Sequence, residues 1–132
     1  MSSPAAAYAW VAVGSALGGV ARFWFSNLAV QFWGPNFPWG TIIINISGSF
    51  AIGLFAGLTG TQGRWQVDPR FAQFFVSGLC GGYTTFSAFS LQTLQLARQN
   101  QWVWVAANVL LSVICCLVAV WLGYRLGEFL ND

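Results

Sequence analysis

Histidine and lysine are both absent from these 132 residues, and the formal charges are five arginines and three carboxylates. Charged residues make up 6% of the chain, against roughly 25% in a soluble domain, so this surface is not built for water. Without histidine there is no imidazole to move a proton or hold a metal. No acidic residue precedes Asp68, and Glu128 and Asp132 lie in the tail. Paired-carboxylate catalysis within a helix therefore has no material, and an enzyme is not expected. A proton-coupled exporter also needs an ionisable group at membrane depth. Arg22 is the one candidate, and arginine does not release its proton. A net charge of +2 with no basic cluster leaves no footprint for nucleic acid. The three cysteines, Cys80, Cys115 and Cys116, lie in apolar stretches and lack metal-site spacing, so they read as small membrane-buried residues. No positive charge precedes Arg22, which argues against a cleaved signal peptide.

What the chain has in abundance is apolar length: 57% of it is hydrophobic. Four apolar runs, at about 8–32, 39–59, 71–97 and 102–126, predict an all-α membrane protein of four transmembrane helices in a single membrane domain over 1–132. Gly34, Pro35 and Pro38 separate the first two runs, and the loop from Gly60 to Arg70 carries Arg64, Asp68 and Arg70. Tryptophans at 10, 33, 39, 65, 102, 104 and 121 cluster toward the run ends, as interfacial anchors do. The third run holds Gly78, Gly81, Gly82, Thr84 and Thr85 in its middle, too many glycines and β-branched residues for an easy helix. It predicts a helix broken at Gly81–Thr85. Such a break leaves carbonyls that must be buried in protein or satisfied by an ion or water. Either those of Gly81 to Thr84 turn toward a hard cation, or the Thr84 and Thr85 hydroxyls repair the break internally.

Glycines recur at helical spacing as the pairs 14 and 18, 53 and 57, 78 and 82, and 123 and 127, which lets helix backbones approach closely in a bilayer. Four spans place both termini and the second loop on one side with Arg64, Arg70 and Arg125. The other side carries Arg98, joined by Arg22 if that residue lies near it. This positive-inside bias is weak. Either the chain is oriented by features the count misses, or it inserts both ways and pairs antiparallel with itself, supplying between two copies the inverted symmetry that larger transporters build internally.

The polar residues left inside the runs are neutral. Asn45 lies within the second, with Thr41 one turn before it; Asn108, Ser112 and Cys116 form a stripe every four residues along the fourth. Each group is either an interhelical hydrogen bond or the lining of a path for an anion. Phe86 and Phe89 share a helical face, which for two phenylalanines is ordinarily lipid-facing or core, but they are interleaved with Ser87 and Ser90, which is unusual for a lipid face. Aromatic rings carry a positive edge, which can meet an anion without a fixed cation to trap it.

Three strings carry a resemblance over essentially the whole length: Gly19-Val20-Ala21-Arg22, then Gly40-Thr41 with Asn45-Ile46-Ser47-Gly48-Ser49-Phe50, then Gly81-Gly82-Tyr83-Thr84-Thr85-Phe86-Ser87-Ala88-Phe89-Ser90. With them the chain resembles the CrcB/Fluc fluoride channels. That resemblance implies passive, fluoride-selective export across the cytoplasmic (inner) membrane by an antiparallel, dual-topology homodimer with two pores. It further implies a structural Na⁺ at the dimer centre, held by the backbone carbonyls of Gly81 and Thr84. Asn45, Phe86 and Phe89 would line the pore together with Thr41, Ser87, Asn108 and Ser112, and Arg22 would serve a vestibule. Two departures stand out: the family usually has Thr where this chain has Ala88, and Glu where it has Gln92. The rival readings are a coupled small-solute exporter and a non-transporting membrane assembly subunit.

Overall fold

The computed structural model describes residues 3–61 and 63–132, and among them it is entirely helical, with no strand. Helix α1 runs Pro4–Trp33 and α2 runs Trp39–Thr59. A helical stretch follows from α3 (Pro69–Ala72) through a wider i→i+5 segment at Gln73–Cys80 into α4 (Gly81–Tyr83). Helix α5 spans Phe86–Arg98 and α6 spans Trp102–Asn131. Among the described residues α1, α2 and α6 are long and apolar enough to cross a membrane. At 1.5 Å per residue, the 21 residues of α2 reach about 32 Å, close to the hydrocarbon thickness. The third apolar run is delivered in two pieces instead.

Local chemistry sets the boundaries. Ser3 accepts a hydrogen bond from the Ala6 N–H and Pro4 occupies the first turn, so α1 starts earlier than its apolar run. It ends at Gly34, whose φ of 76° suits glycine and whose N–H returns to the Val30 carbonyl at 2.8 Å. Asp68 caps α3 by accepting from Arg70 N–H. Asn100, with φ 56°, turns the chain from α5 into α6, a position asparagine tolerates better than most residues. Helix α6 continues past its apolar part to Asn131. The Asn131 amide donates to the Gly57 carbonyl at 2.7 Å and accepts from Arg64 N–H, closing the end of α2.

Glycines at the run of Gly78 to Gly82 do not break the helix; the chain leaves helical geometry only at Thr84 and Thr85, both extended. The glycines serve close approach instead. A Cβ at Gly14 or Gly18 would collide with the Phe74 or Leu79 carbonyl oxygen, and one at Gly82 would meet Ser15. The same holds between α2 and α6: a Cβ at Gly53 would strike the Val120 carbonyl, and one at Gly123 the Phe50 carbonyl. So Gly14 and Gly18 of α1 face the 69–83 stretch and Gly53 and Gly57 of α2 face α6, giving two tightly joined helix pairs. Phe37, Ile42 and Leu96 form a small apolar cluster where the α1–α2 loop, α2 and α5 meet.

Gly53→Ala should therefore lower stability by about 1–3 kcal/mol, because backbone must move to admit the methyl. Gly19 has nothing within 4 Å of an added Cβ, so Gly19→Ala should be neutral or stabilising by up to about 1 kcal/mol. Thermal unfolding of both variants in detergent checks the contrast, and equal losses would refute the packing argument.

Candidate functional site

The discontinuity at Thr84–Thr85 organises the surrounding polar groups. Thr84 keeps its N–H on the Cys80 carbonyl at 3.0 Å, but the backbone of Thr85 has no helical partner, and side chains gather on the backbone around this turn. Asn45 on α2 donates through Nδ2 to the Thr85 carbonyl at 3.0 Å and accepts the Thr85 N–H through Oδ1 at 2.8 Å. Arg22 on α1 donates from Nε to the Gly82 carbonyl at 3.2 Å. The Thr84 hydroxyl donates to the Cys80 carbonyl at 2.9 Å, and Thr85 Oγ1 accepts from Ala88 N–H to cap α5. Gly48 makes room for this: a Cβ there would overlap the Thr84 methyl.

Beside the discontinuity lies a cavity of about 390 Å³. Among the candidates from the sequence, Asn45, Gly81, Thr84, Phe86, Phe89 and Ser112 line it, together with Ser49, Cys80, Thr85 and Cys116. Among the described residues no charged one is in its wall. The Phe86 and Phe89 rings lie 5.4 Å apart, tilted by 45°. Phe86 is 77% exposed, although its neighbours Thr85 and Phe89 are half-buried.

Other candidates fall elsewhere. Asn108 is buried behind the wall: its Nδ2 donates to Thr93 Oγ1 at 2.9 Å, Thr93 donates to the Phe89 carbonyl at 2.7 Å, and Ser112 reaches Asn108 Oδ1 at 3.4 Å. Ser87 is exposed, with its hydroxyl 3.3 Å from Thr85 Oγ1. Thr41 is buried and lines a separate cavity of about 290 Å³ walled by Gln92, Gln95, Gln99 and Gln101. The Gln92 Oε1 is buried and has no hydrogen-bond partner among the described residues. Thr93 is the working residue that pattern reading passed over. Thr93 stands four residues after Phe89, the spacing at which a threonine hydroxyl reaches back to a carbonyl, and that was its available signal.

Long apolar helices flanking an open, largely apolar cavity that carries a few neutral polar groups define a multi-pass membrane protein with an uncharged site between its helices. The sequence matches the family model described as CrcB-like protein, Camphor Resistance (CrcB), over residues 9–124. A protein of Rhodospirillum rubrum named fluoride-specific ion channel FluC is 54% identical over 125 residues, covering 95% of this chain and 97% of its own length. Proteins with the same name from Methylocella silvestris and Paramagnetospirillum magneticum are 52% and 50% identical, covering 95% and 94% of this chain and 95% and 97% of their own lengths. The chain belongs to the CrcB family.

Asn45 is both a wall residue and the partner of Thr85, and these roles separate experimentally. Asn45→Asp retains an acceptor for the Thr85 N–H but sets a carboxylate against the Thr85 carbonyl. It should lower stability by about 1–3 kcal/mol, read as earlier thermal unfolding; an unchanged transition would remove Asn45 from the repair of the break.

Proposed function

We propose that this chain is a fluoride-selective channel subunit, conducting fluoride passively out of the cytoplasm across the inner membrane. The observation that carries the reading is the meeting of Asn45, Phe86, Phe89 and Ser112 on one uncharged cavity, in a chain about half identical to proteins named fluoride-specific ion channels. Fluoride is small and strongly hydrated, so a passage must replace water while binding weakly enough to let go. Asn45 keeps one amide hydrogen beyond the one given to Thr85. Ser112 adds a hydroxyl, and the ring edges of Phe86 and Phe89 offer positive potential with no proton to lose. Thr41 and Ser87 would serve before or after this cavity, and Asn108 would hold the Ser112 side of the wall. Arg22 spends its Nε on Gly82, which leaves the outer guanidinium edge for a vestibule.

The working unit in this reading is an antiparallel homodimer with dual topology. Phe86, largely exposed in the single chain, is a ring that a second copy would enclose, and the third run would cross the bilayer as two pieces meeting at Thr84–Thr85. The fit to Na⁺ rests on the same place. The Gly81 and Thr84 carbonyls stand at the discontinuity, and among the described residues no side-chain hydrogen bond reaches either. Hard cations favour oxygen ligands. One chain offers two carbonyls, so a second copy across a twofold axis would double them, and Na⁺ there would supply a fixed charge that joins the copies.

Purified protein in liposomes should release fluoride far faster than chloride with no imposed proton gradient. Flux that required a proton gradient would favour the coupled exporter, and no anion flux at all would favour the assembly subunit. Phe86→Leu and Phe89→Ile hold bulk and apolarity nearly constant while removing the ring edge. Each should cut fluoride efflux about tenfold or more, if losing one ring contact forfeits about 1.4 kcal/mol, with an unchanged elution profile. Near-normal efflux in both would sink the aromatic-edge mechanism.

Dual topology has its own check. A C-terminal tag should be accessible from both faces of the membrane in one preparation, and labelling from a single face would exclude the antiparallel pair.

A further inference from the structure

Helix α5 carries both rings of the cavity but is lightly held. Among the described residues of α5, Leu96 alone is buried, about two turns beyond Phe89. Its placement therefore falls to hydrogen bonds from neighbouring helices, and an asparagine stands to either side of the ring pair. Asn45 of α2 pairs with both backbone groups of Thr85, the residue before Phe86, at 3.0 and 2.8 Å. Asn108 of α6 donates to Thr93 Oγ1 at 2.9 Å, one turn past Phe89. Among the described residues this is the one side-chain hydrogen bond joining α5 to α6. A threonine hydroxyl has one proton, and Thr93 spends it on the Phe89 carbonyl at 2.7 Å. Asn108 must therefore turn its NH₂ group to Thr93 and its carbonyl oxygen to Ser112, whose hydroxyl lies 3.4 Å away. The bonds thus run in one sense, from Ser112 through Asn108 and Thr93 to the Phe89 backbone. Asn108 is buried, so water does not replace a partner it loses.

We propose that Thr93 is a positioning residue: its hydroxyl, held by Asn108 and holding the Phe89 carbonyl, sets where the Phe89 ring stands and so how fast fluoride passes. The effect on flux rests on the fluoride-channel reading above, whereas the positioning stands on the hydrogen bonds alone. Thr93 is outside the wall of the 390 Å³ cavity, which Phe89 and Ser112 line. Whatever it does to a passing ion it does through them. Valine at this position keeps the shape of threonine and loses both bonds, which releases the middle of α5 from α6 and strands the Asn108 NH₂ group. Serine gives up a methyl group and keeps the hydroxyl that makes both bonds.

The test uses the full chain in two forms. One carries 4-fluorophenylalanine at position 89 and is read by fluorine NMR in detergent; the other is unlabelled and releases fluoride from liposomes. Thr93→Val should move or broaden the ring resonance and cut efflux about tenfold. Thr93→Ser should keep the parental resonance and stay within about twofold of parental efflux. Because Thr93 acts through the ring, Thr93→Val added to Phe89→Ile should cost little beyond Phe89→Ile alone. Parental efflux in Thr93→Val would overturn the proposal, whether or not the resonance moves. So would a loss that serine fails to restore, or one that multiplies in full with the loss in Phe89→Ile. A parent that releases no fluoride, with a resonance moved by valine and kept by serine, would count against the fluoride-channel reading and uphold the positioning. Should Thr93→Val elute abnormally, Thr93→Val/Asn108→Leu removes both members of the bond and leaves no buried amide unpaired, and its resonance and efflux decide by the same outcomes.

Discussion

A backbone N–H or carbonyl taken out of water must find a partner, and hydrocarbon offers none. The Thr84 N–H still reaches the Cys80 carbonyl, but at Thr85 the chain has left the helix that would have paired its backbone, so a side chain has to do it. Asn45 pairs with both backbone groups of Thr85, Arg22 takes the Gly82 carbonyl, and Thr84 returns its hydroxyl to Cys80. These bonds fix where α1 and α2 sit relative to the discontinuity. A carbonyl left bare here would cost on the order of 1–3 kcal/mol. The arrangement of polar groups around the cavity follows largely from this need to complete the backbone.

Close approach by glycine makes that completion geometrically possible. Arg22 reaches Gly82 because α1 lies against the 69–83 stretch, where Gly14, Gly18, Gly78 and Gly82 remove the side chains that would hold them apart. Gly48 plays the same part for Thr84, admitting its methyl group against α2. The second pair, α2 with α6, brings Ser112 and Cys116 alongside Asn45 and Ser49. Lipid tails give helices little hydrophobic reason to associate, so contact quality between backbones carries much of the association. Widening either pair by a methyl group would shift the walls of the cavity as well as weaken the fold.

Apolar run lengths made the all-helical membrane class legible, and the string from Gly81 to Ser90 made the family legible. The glycine spacings announced tight packing, but spacing along one helix does not say which helix it meets, so the pairing of α1 with 69–83 and of α2 with α6 needed coordinates. Gly81 and Gly82 were misleading for the opposite reason. Glycine is poor in an isolated helix, yet at a crowded interface its missing side chain is what the packing requires, and the helix persists to Tyr83. Thr41 and Asn45 share a helical face one turn apart but open onto different cavities, because what stands opposite a face is set by other segments. The partnership of Asn45 with Thr85 spans 40 positions, which no local pattern encodes.

Asn108 and Ser112 lie one turn apart on α6, and hydrogen-bond lengths now divide their work. Asn108 is 1% exposed; it donates at 2.9 Å to Thr93, which in turn grips the Phe89 carbonyl at 2.7 Å. These are ordinary, well-formed bonds, and they anchor α5, with its Phe89 ring, to α6. Ser112 meets Asn108 at 3.4 Å, beyond the usual range for a hydroxyl donor. Little is lost when that hydroxyl rotates toward the cavity it lines. A donor already committed at short range would have to break a good bond before meeting an anion, whereas a loosely held one can turn to it. Asn108 thus belongs to the frame and Ser112 to the face of the cavity. The neutrality of that face matters as much as its donors. Between unit charges 4 Å apart the attraction is about 4 kcal/mol even at an effective dielectric of 20, enough to slow release by roughly three orders of magnitude. Hydroxyl, amide and ring edge together can replace water without that hold.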